Sequence, residues 1–206
     1  MEKNIMKNRK LLIITQAVDM NNPVLGFFHR WVEEFSKHCE SITVICLYEG
    51  VHQLPHNVKV FSLGKEKKES LAKYVWNFFK YSIRERTQYD SVFVHMNQEY
   101  VLLGWPLWKI LGKKIFMWRN HHAGSLWTTL AVFLCDRVFC TSKYSFTAKF
   151  KKTVLMPVGI DIDFFKPTSG TRPTKDVLFL ARLAPSKRPE VLISALGILH
   201  KKGINF

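Results

Sequence analysis

The sequence predicts an α/β protein built on a doubly wound parallel β-sheet. Short apolar runs alternate along the chain with segments in which apolar residues recur every three or four positions. Such alternation of strands and helices is typical of a parallel sheet with helices on both faces. The first run, at residues 11–15, is apolar almost throughout, as expected of a strand buried on both faces. Six further runs, rich in β-branched and aromatic residues, complete the predicted sheet at residues 42–47, 58–63, 91–95, 114–118, 137–141 and 154–156.

Four helices are predicted between these strands. Residues 27–35 and 71–86 show apolar side chains at helical spacing, and two more helices are predicted at residues 99–111 and 125–135. In a doubly wound sheet, sites lie beyond the carboxyl ends of the strands. Polar residues that directly follow a strand are therefore the first candidates for function.

The organisation of the chain changes after residue 156. Residues 157–175 combine Pro, Gly, Ser and Thr in a pattern typical of a linker. A new strand is predicted at residues 177–181 and a new helix at residues 187–202. We therefore expect an N-terminal Rossmann-like domain over residues 1–156, a linker over 157–175 and, over 176–206, the first strand and helix of a truncated second domain.

The composition limits the possible functions. Of the 206 residues, 47% are hydrophobic and 14% aromatic, which is enough for a packed core and unlike a disordered chain. No apolar run reaches the roughly 18–20 residues of a membrane-spanning helix, and the polar N-terminus does not resemble a signal peptide. We expect a cytoplasmic protein with reduced thiols. The 31 Lys and Arg against 16 Asp and Glu give a net charge of +15, which predicts an anionic partner.

Three segments of the chain carry a recognisable pattern. An apolar strand at 177–181 is followed by Arg182, a short turn, Lys187 and an amphipathic helix. Residues 157–167 begin with Pro-Val-Gly-Ile-Asp and end at a second Pro. The segments at 91–95, 114–121 and 136–142 follow one another in the order of central strands. Together these segments resemble glycosyltransferase family 4, although Ala181 stands where the family usually has Gly.

The resemblance implies a GT-B fold, in which two Rossmann-like domains face each other with the site between them. It implies a retaining transfer of a sugar from a nucleotide-sugar donor to an acceptor, either lipid-linked or a polysaccharide. It implies no cofactor, because the nucleotide sugar is itself a substrate, and the spacing of the four cysteines predicts no metal site. The acidic donor-domain motif of the family would lie beyond Phe206, so we expect this chain to be inactive by itself.

Arg182 and Lys187 are the candidate donor-phosphate residues. They stand five positions apart, where the predicted strand ends and the predicted helix begins. Two cations and several backbone N–H groups at one point suit a diphosphate. The resemblance implies that both residues bind the donor diphosphate, and the alternative is a pair of solvated charges in a turn.

His121 is the candidate catalytic residue. It follows the predicted strand at 114–118, where an imidazole can hydrogen-bond a sugar hydroxyl or a phosphate. The resemblance implies that His121 is the acceptor-domain histidine that faces the donor sugar. His122 is the alternative residue for this role. Another alternative is that both histidines lie in an ordinary surface turn. An isolated His-His pair does not predict a metal site.

Two further groups of residues are candidates for substrate binding. Gly26 opens the first helix after the loop at 16–25, where a glycine lets the backbone approach a ligand closely, and a packing or capping glycine is the alternative. His95, Asn97 and Gln98 stand at the end of another predicted strand and are candidates for lining the acceptor pocket. A purely structural His95 is the alternative there.

The predicted helix at residues 71–86 concerns the partners of the protein. Aromatic and aliphatic side chains cover about half of its circumference, and Lys73, Lys80 and Arg84 lie beside the edge marked by Trp76. Aromatic residues beside basic residues are typical of helices that lie in a membrane interface. We predict peripheral binding to an anionic membrane surface at the inner face of the cell membrane. A buried helix with a solvated basic side is the alternative.

These observations together predict a glycosyltransferase whose partners are a nucleotide sugar and a glycan or lipid-linked acceptor. Two other classes of function compete with it. The positive charge fits a nucleic-acid-binding domain, but the sequence shows no zinc-finger, RNP or helix-turn-helix signature, so we expect no specific nucleic acid. The other class is a non-catalytic module that retains only an acceptor site.

Overall fold

A seven-stranded sheet is the main feature of the computed structural model, which describes residues 9–157, 159–160, 162, 165–166, 177–181 and 187–204. Every pair of neighbouring strands runs parallel. The order across the sheet is β3-β2-β1-β4-β5-β6-β7. The strands are β1 (Lys10–Val18), β2 (Ser41–Glu49), β3 (Val58–Ser62), β4 (Ser91–His95), β5 (Lys114–Trp118), β6 (Arg137–Cys140) and β7 (Thr153–Leu155).

Helices connect most of these strands. After β1, β3, β4 and β5 come, in turn, α1 (Gly26–Ser36), α2 (Leu71–Arg84), α3 (Gln98–Ile110) and α4 (Leu126–Leu134). A fifth helix, α5, spans Pro189–Lys201, and two short 3₁₀ helices span Lys65–Lys67 and Phe146–Lys149. The predicted fold class, an α/β protein with a doubly wound parallel sheet, is confirmed.

Helices α1 to α4 form one layer on each face of the sheet. Phe28 and Val32 of α1 belong to one core cluster, whereas Phe78 of α2, Trp108 of α3 and Val132 of α4 belong to the other. Side chains of a strand point alternately to its two faces, so Ile13 of β1 joins the first cluster while its neighbours Leu12 and Ile14 join the second. All three are fully buried. Burial on both faces explains why this strand is apolar without alternation.

β1 is longer than the sequence predicts. The apolar run is interrupted by Gln16, yet β1 continues through Ala17 and Val18, which pair with Tyr48 and Glu49 of β2. Backbone hydrogen bonds define a strand, and a half-buried polar side chain does not break them. The loop after β1 is therefore residues 19–25, shorter than predicted.

The strand predicted at residues 177–181 is absent. These residues belong to no strand, and Leu178 and Leu180 are 80% and 89% exposed. A strand requires a hydrogen-bonded neighbour, and no described residue pairs with this segment. The helix predicted at 187–202 is present as α5, with Pro189 in its first turn and Gly203 beyond its end at a φ of 69°.

The chain divides into two compact units, Met1–Val158 and Gly159–Phe206. The first contains the sheet and α1 to α4, and the second contains α5. The sequence places the end of the first domain at residue 156.

Candidate functional site

The carboxyl edge of the sheet is where a doubly wound fold binds its ligands. β1 leads through α1 to β2 on one side, and β4 leads through α3 to β5 on the other. The connections therefore part between β1 and β4, which are neighbours in the sheet. Residues at the ends of β1, β4 and β5 are the first to consider as functional.

A pocket of about 260 Å³ opens at this edge, between the loops that follow β4 and β5. A larger cavity of about 500 Å³ lies at the opposite edge, near the beginning of β5 and β6. Because sites of this fold class lie at the carboxyl ends of strands, we take the smaller pocket as the candidate functional site. It is lined by Met96, Asn97, Gln98, Glu99, Trp118, Arg119, Asn120 and His121.

Arg119 is held in this pocket by hydrogen bonds to two segments. Its Nε donates to Oε1 of Gln98 over 2.8 Å, and its Nη1 donates to the carbonyl of Ala123 over 2.9 Å. Gln98 in turn donates from Nε2 to Oε1 of Glu99 over 2.7 Å. Burial lowers the pKa of Arg119, while the negative charge of Glu99 acts to raise it. An oriented cation beside a carboxylate and an amide can bind hydroxyl or phosphate groups.

Sequence reasoning named Gln98 as a lining residue but missed Arg119. The signal that could have found it is its position directly after β5, two residues before His121. A charged residue at this position lies at the edge of the sheet where ligands bind, and is therefore a candidate for function.

The loop after β5 is fixed by the segment that follows β6. The hydroxyls of Ser145 and Thr147 donate to the carbonyl of Arg119 over 3.2 and 3.0 Å, and both residues are buried. Oδ1 of Asn120 accepts from the N–H groups of Thr141 and Ser142. The pocket residues on this loop are therefore held by neighbours, as precise ligand binding requires.

Met96 turns the chain from β4 into the pocket in a strained conformation. Its φ of 71° is uncommon for a residue with a side chain of this size. The N–H of Asn97 donates to the carbonyl of His95 over 3.0 Å, which closes a γ-turn. The N–H of Met96 donates to the carbonyl of Trp118 over 2.7 Å and holds this turn against β5. Strained residues cluster at functional sites, which agrees with the choice of this pocket.

His121 is exposed and lines the pocket. The N–H of Ala123 donates to its Nδ1 over 3.0 Å, and the carbonyl oxygen of Ala123 lies 3.3 Å from the same nitrogen. The ring of His122 stacks on it with 4.6 Å between centroids, but His122 is not one of the residues that line the pocket. The structure therefore brings His121, and not His122, together with Arg119 and Gln98.

His95 lies in the core and does not line the pocket. It is fully buried, its Nδ1 is 3.1 Å from Oγ1 of Thr15, and its ring stacks on Phe28 at 3.8 Å between centroids. Burial lowers the pKa of His95 to about 3, so the ring is neutral at physiological pH. Of the three residues predicted to line the acceptor pocket, Asn97 and Gln98 line the candidate functional site, and a role in acceptor binding stays a prediction. The structural alternative is the correct one for His95.

Gly26 begins α1, at the end of the loop that follows β1. A Cβ at this position would lie 3.0 Å from the carbonyl oxygen of Met20. The N–H of Gly26 donates to the carbonyl of Asn22 over 2.9 Å, and the Asn22 side chain accepts from the N–H groups of Val24 and Leu25. The missing side chain thus allows this loop to pack closely on itself. A role of Gly26 in substrate binding stays a prediction.

The predicted donor-phosphate residues belong to the second unit. Lys187 is exposed and stands two positions before α5. Between them, Arg188 has a left-handed φ of 51° and pairs with Glu190. Arg182 lies outside the described residues. Diphosphate binding by Arg182 and Lys187 stays a prediction.

The described part of the chain contains neither a cluster of metal-binding side chains nor a membrane-spanning helix. Within it, no group of three or more His, Cys, Asp or Glu side chains is placed to hold a metal ion. The helices described there are also too short or too polar to span a bilayer.

Comparison with known proteins identifies the fold. No protein-family model matches the chain, and no curated protein matches it. Among solved structures, the lipopolysaccharide outer core galactosyltransferase WaaB is similar with a TM-score of 0.50 and 14% identity, over 74% of this chain and 46% of WaaB. At this identity the likeness to WaaB shows a shared Rossmann-like α/β fold.

Two further structures have lower TM-scores. MurG from Acinetobacter baumannii has a TM-score of 0.46 and 10% identity, over 76% of this chain and 47% of MurG. UDP-GlcNAc 2-epimerase from Methanocaldococcus jannaschii has a TM-score of 0.47 and 12% identity, over 70% of this chain and 45% of the epimerase. The chain spans less than half the length of each of these three proteins.

Proposed function

We propose that the protein is a retaining GT-B glycosyltransferase of the family 4 type, which transfers a sugar from a nucleotide-sugar donor to a lipid-linked or polysaccharide acceptor at the inner face of the cell membrane. The observation that carries this proposal is the pocket at the carboxyl ends of β4 and β5, where Arg119, His121 and Gln98 converge. A fold shared with a galactosyltransferase is consistent with it.

The chemistry of the pocket suits a ligand rich in hydroxyl groups. Arg119 donates hydrogen bonds, the carboxylate of Glu99 accepts them, and the imidazole nitrogens of His121 can donate or accept them. Because these groups are fixed before a ligand arrives, they can stabilise charge that develops during transfer without the cost of reorienting. In the proposed reaction, His121 contacts the donor sugar, and Arg182 and Lys187 bind its diphosphate.

The proposal predicts a specific order of effects among three substitutions in the full-length gene product. His121→Ala should lower kcat by about 10²–10³, as removal of one preorganised group does. Lys187→Ala should act mainly on kcat as well, because the charge on the leaving diphosphate grows in the transition state. His122→Ala, which alters the neighbour outside the pocket, should have a milder effect. The measurement is steady-state release of nucleoside diphosphate, with circular dichroism to confirm folding.

Each of the three variants can contradict a different part of the proposal. A normal kcat for His121→Ala beside a collapsed kcat for His122→Ala would mean that the wrong histidine was chosen. A normal kcat for Lys187→Ala would remove the donor-phosphate assignment. Binding of a glycan acceptor without turnover of any nucleotide sugar would favour the non-catalytic module.

A further inference from the structure

The outer side of α4 is apolar, which is unusual for a helix at a protein surface. Its nine residues include no charged side chain. The side that packs on the sheet carries Thr128, Ala131 and Val132, whereas the larger side chains face outward. A helix that is apolar on all sides is normally covered on all sides. The exposed fractions are 86%, 65%, 43% and 64% for Leu126, Trp127, Leu130 and Phe133.

The same outer layer continues over α2 and α3, which lie on the same face of the sheet as α4. Trp76 of α2 and Ile110 of α3 are 66% and 84% exposed. Lys73 and Lys80 stand one turn on either side of Trp76 and are exposed. We call the exposed side chains of α2, α3 and α4 the outer helix surface.

Arg84, predicted from the sequence to share the basic edge of α2, is engaged elsewhere. Its guanidinium lies 4.6 Å from the ring centroid of Phe61, and its Nε donates to Oε1 of Glu85 over 2.9 Å. The basic edge of α2 therefore consists of Lys73 and Lys80.

The cavity of about 500 Å³ adjoins this surface near the last turns of α3 and α4. Nζ of Lys152 donates to the carbonyls of Phe133 and Cys135 over 2.8 and 2.7 Å, at the end of α4. Asp136, the single acidic residue of the lining, accepts a hydrogen bond from the N–H of Ile115. The cavity thus has a net positive charge beside aromatic walls. Its lining includes Trp105, Phe133, Lys109, Lys113, Lys114 and Lys152.

Acidic residues are nearly absent from the three helices, all of whose residues are described. α2 and α4 contain none and α3 contains Glu99, whereas α1 on the opposite face carries Glu33 and Glu34. With a net charge of +15, a second copy of the chain would be repelled. A nucleic acid would provide no apolar phase for a side chain such as Trp127. An anionic bilayer provides both a negative surface and an apolar interior.

We propose that the outer helix surface docks on an anionic lipid bilayer. The exposed apolar side chains of α4 enter the interface, and the exposed Lys73, Lys80, Lys109 and Lys114 meet the lipid headgroups. Docking on a bilayer deepens the proposed function and rests on it, since a lipid-linked acceptor requires an enzyme at a membrane. Bare vesicles test the docking without donor or acceptor, so it can fail while sugar transfer stands.

The first test is co-sedimentation of the full-length gene product with vesicles. We expect binding to phosphatidylcholine vesicles that contain phosphatidylglycerol, and binding weaker by about tenfold or more to pure phosphatidylcholine, because several lysines lose their anionic partners. Equal binding to both vesicles, or binding to neither, would overturn the proposal.

The second test uses matched substitutions on vesicles with phosphatidylglycerol. Trp127→Asp combined with Phe133→Asp should weaken binding by about tenfold or more, because two apolar side chains that enter the interface are replaced by anionic ones. Val51→Asp places one such carboxylate at a position that is 60% exposed but lies in the loop after β2, and should change nothing. Lys109→Glu should weaken binding by about fivefold, whereas Arg30→Glu, the equivalent change on α1, should not.

Two outcomes of these variants would overturn the proposal. Full vesicle binding by the Trp127 and Phe133 double variant would mean that other parts of the protein cover or replace the outer helix surface. A dimer in sedimentation velocity that the same variant dissociates would assign the surface to a second copy of the chain.

Discussion

His95 is a titratable residue placed where its charged form cannot be solvated. Its ring is stacked between Phe28 and Trp118, at 3.8 and 5.2 Å between centroids. Its Nδ1 has Thr15 as a partner, and no described atom is a hydrogen-bond partner of its Nε2. A protonated ring needs two acceptors, so protonation would leave a charge and a donor without compensation in the core. Burial of the ring away from water, which disfavours its charged form, is the physical cause of a pKa near 3.

The pKa of His95 predicts how the stability of the protein depends on pH. Below the unfolded value of 6.5 the unfolded chain binds a proton that the folded chain does not bind until a pH of about 3. Stability is therefore fully present above pH 6.5 and decreases as the pH falls toward 3. Between pH 7.5 and 5.5 we expect this residue to reduce the free energy of unfolding by about 1.4 kcal/mol.

The measurement is urea denaturation of the wild type and of His95→Asn at several pH values. The asparagine side chain of this variant does not titrate, so the stability difference between the two proteins should narrow as the pH falls through this range. A difference that stays constant from pH 7.5 to 5.5 would mean that His95 is protonated equally in the folded and unfolded states.

At the scale of single elements, α3 shows a close contact that the sequence did not reveal. A Cβ on Gly104 would overlap the ring of Trp108, which is fully buried. The glycine therefore makes room within its own helix for the largest side chain of the core. It lowers the helix propensity of α3 by about 1 kcal/mol relative to alanine, and the packing of Trp108 offsets that cost.

Gly104→Ala and Gly197→Ala should have opposite effects. Both are helix-interior glycines, but nothing lies within 4 Å of a Cβ on Gly197 in α5. Overpacking typically costs about 1–3 kcal/mol, so Gly104→Ala should be destabilising despite better helix propensity. Gly197→Ala should be neutral or stabilising by up to about 1 kcal/mol. Chemical denaturation followed by circular dichroism measures both, and a Gly104→Ala protein as stable as the wild type would show that Trp108 can move freely.

The contrast between β1 and residues 177–181 shows what sequence patterns can and cannot predict about elements. Both are short apolar runs, and a pattern of this kind reports the tendency to be buried. In β1 the tendency is realised because β2 and β4 lie on its two sides. At 177–181 no described strand is adjacent, and the same pattern gives no strand. Strand formation depends on a neighbour that local sequence does not specify.

The candidate site was only partly predictable for a related reason. Asn97, Gln98 and His121 were found because polar residues directly after a strand must lie at the carboxyl edge of the sheet. Arg119 follows the same rule, but its importance depends on Gln98 and Ala123, whose side chain and carbonyl orient it. Those contacts arise from loop geometry. The pattern also could not separate His95, which ends β4 inside the core, from a residue in the pocket.

At the scale of the whole molecule, the net charge of +15 and the exposed apolar side of α4 together distinguish two kinds of anionic partner. Any polyanion attracts such a protein. Only a partner with an apolar phase can also use the exposed side of α4, where Trp127 and Phe133 are well over half exposed. Salt weakens the first contribution and leaves the second largely intact.

Salt dependence should therefore distinguish a membrane from a nucleic acid as the partner. Binding to duplex DNA should show no sequence preference, and its affinity should fall by about 10³ between 50 and 200 mM salt, because binding that rests on phosphate contacts is driven by counterion release. Binding to vesicles with phosphatidylglycerol should fall much less over the same range, since the apolar contact of α4 does not release ions. Fluorescence anisotropy and co-sedimentation, run in the same buffers, compare the two. Sequence-selective DNA binding that persists at 200 mM salt would favour a nucleic-acid-binding protein, because phosphate contacts alone carry no sequence information and the protein would then have to read base edges or DNA shape.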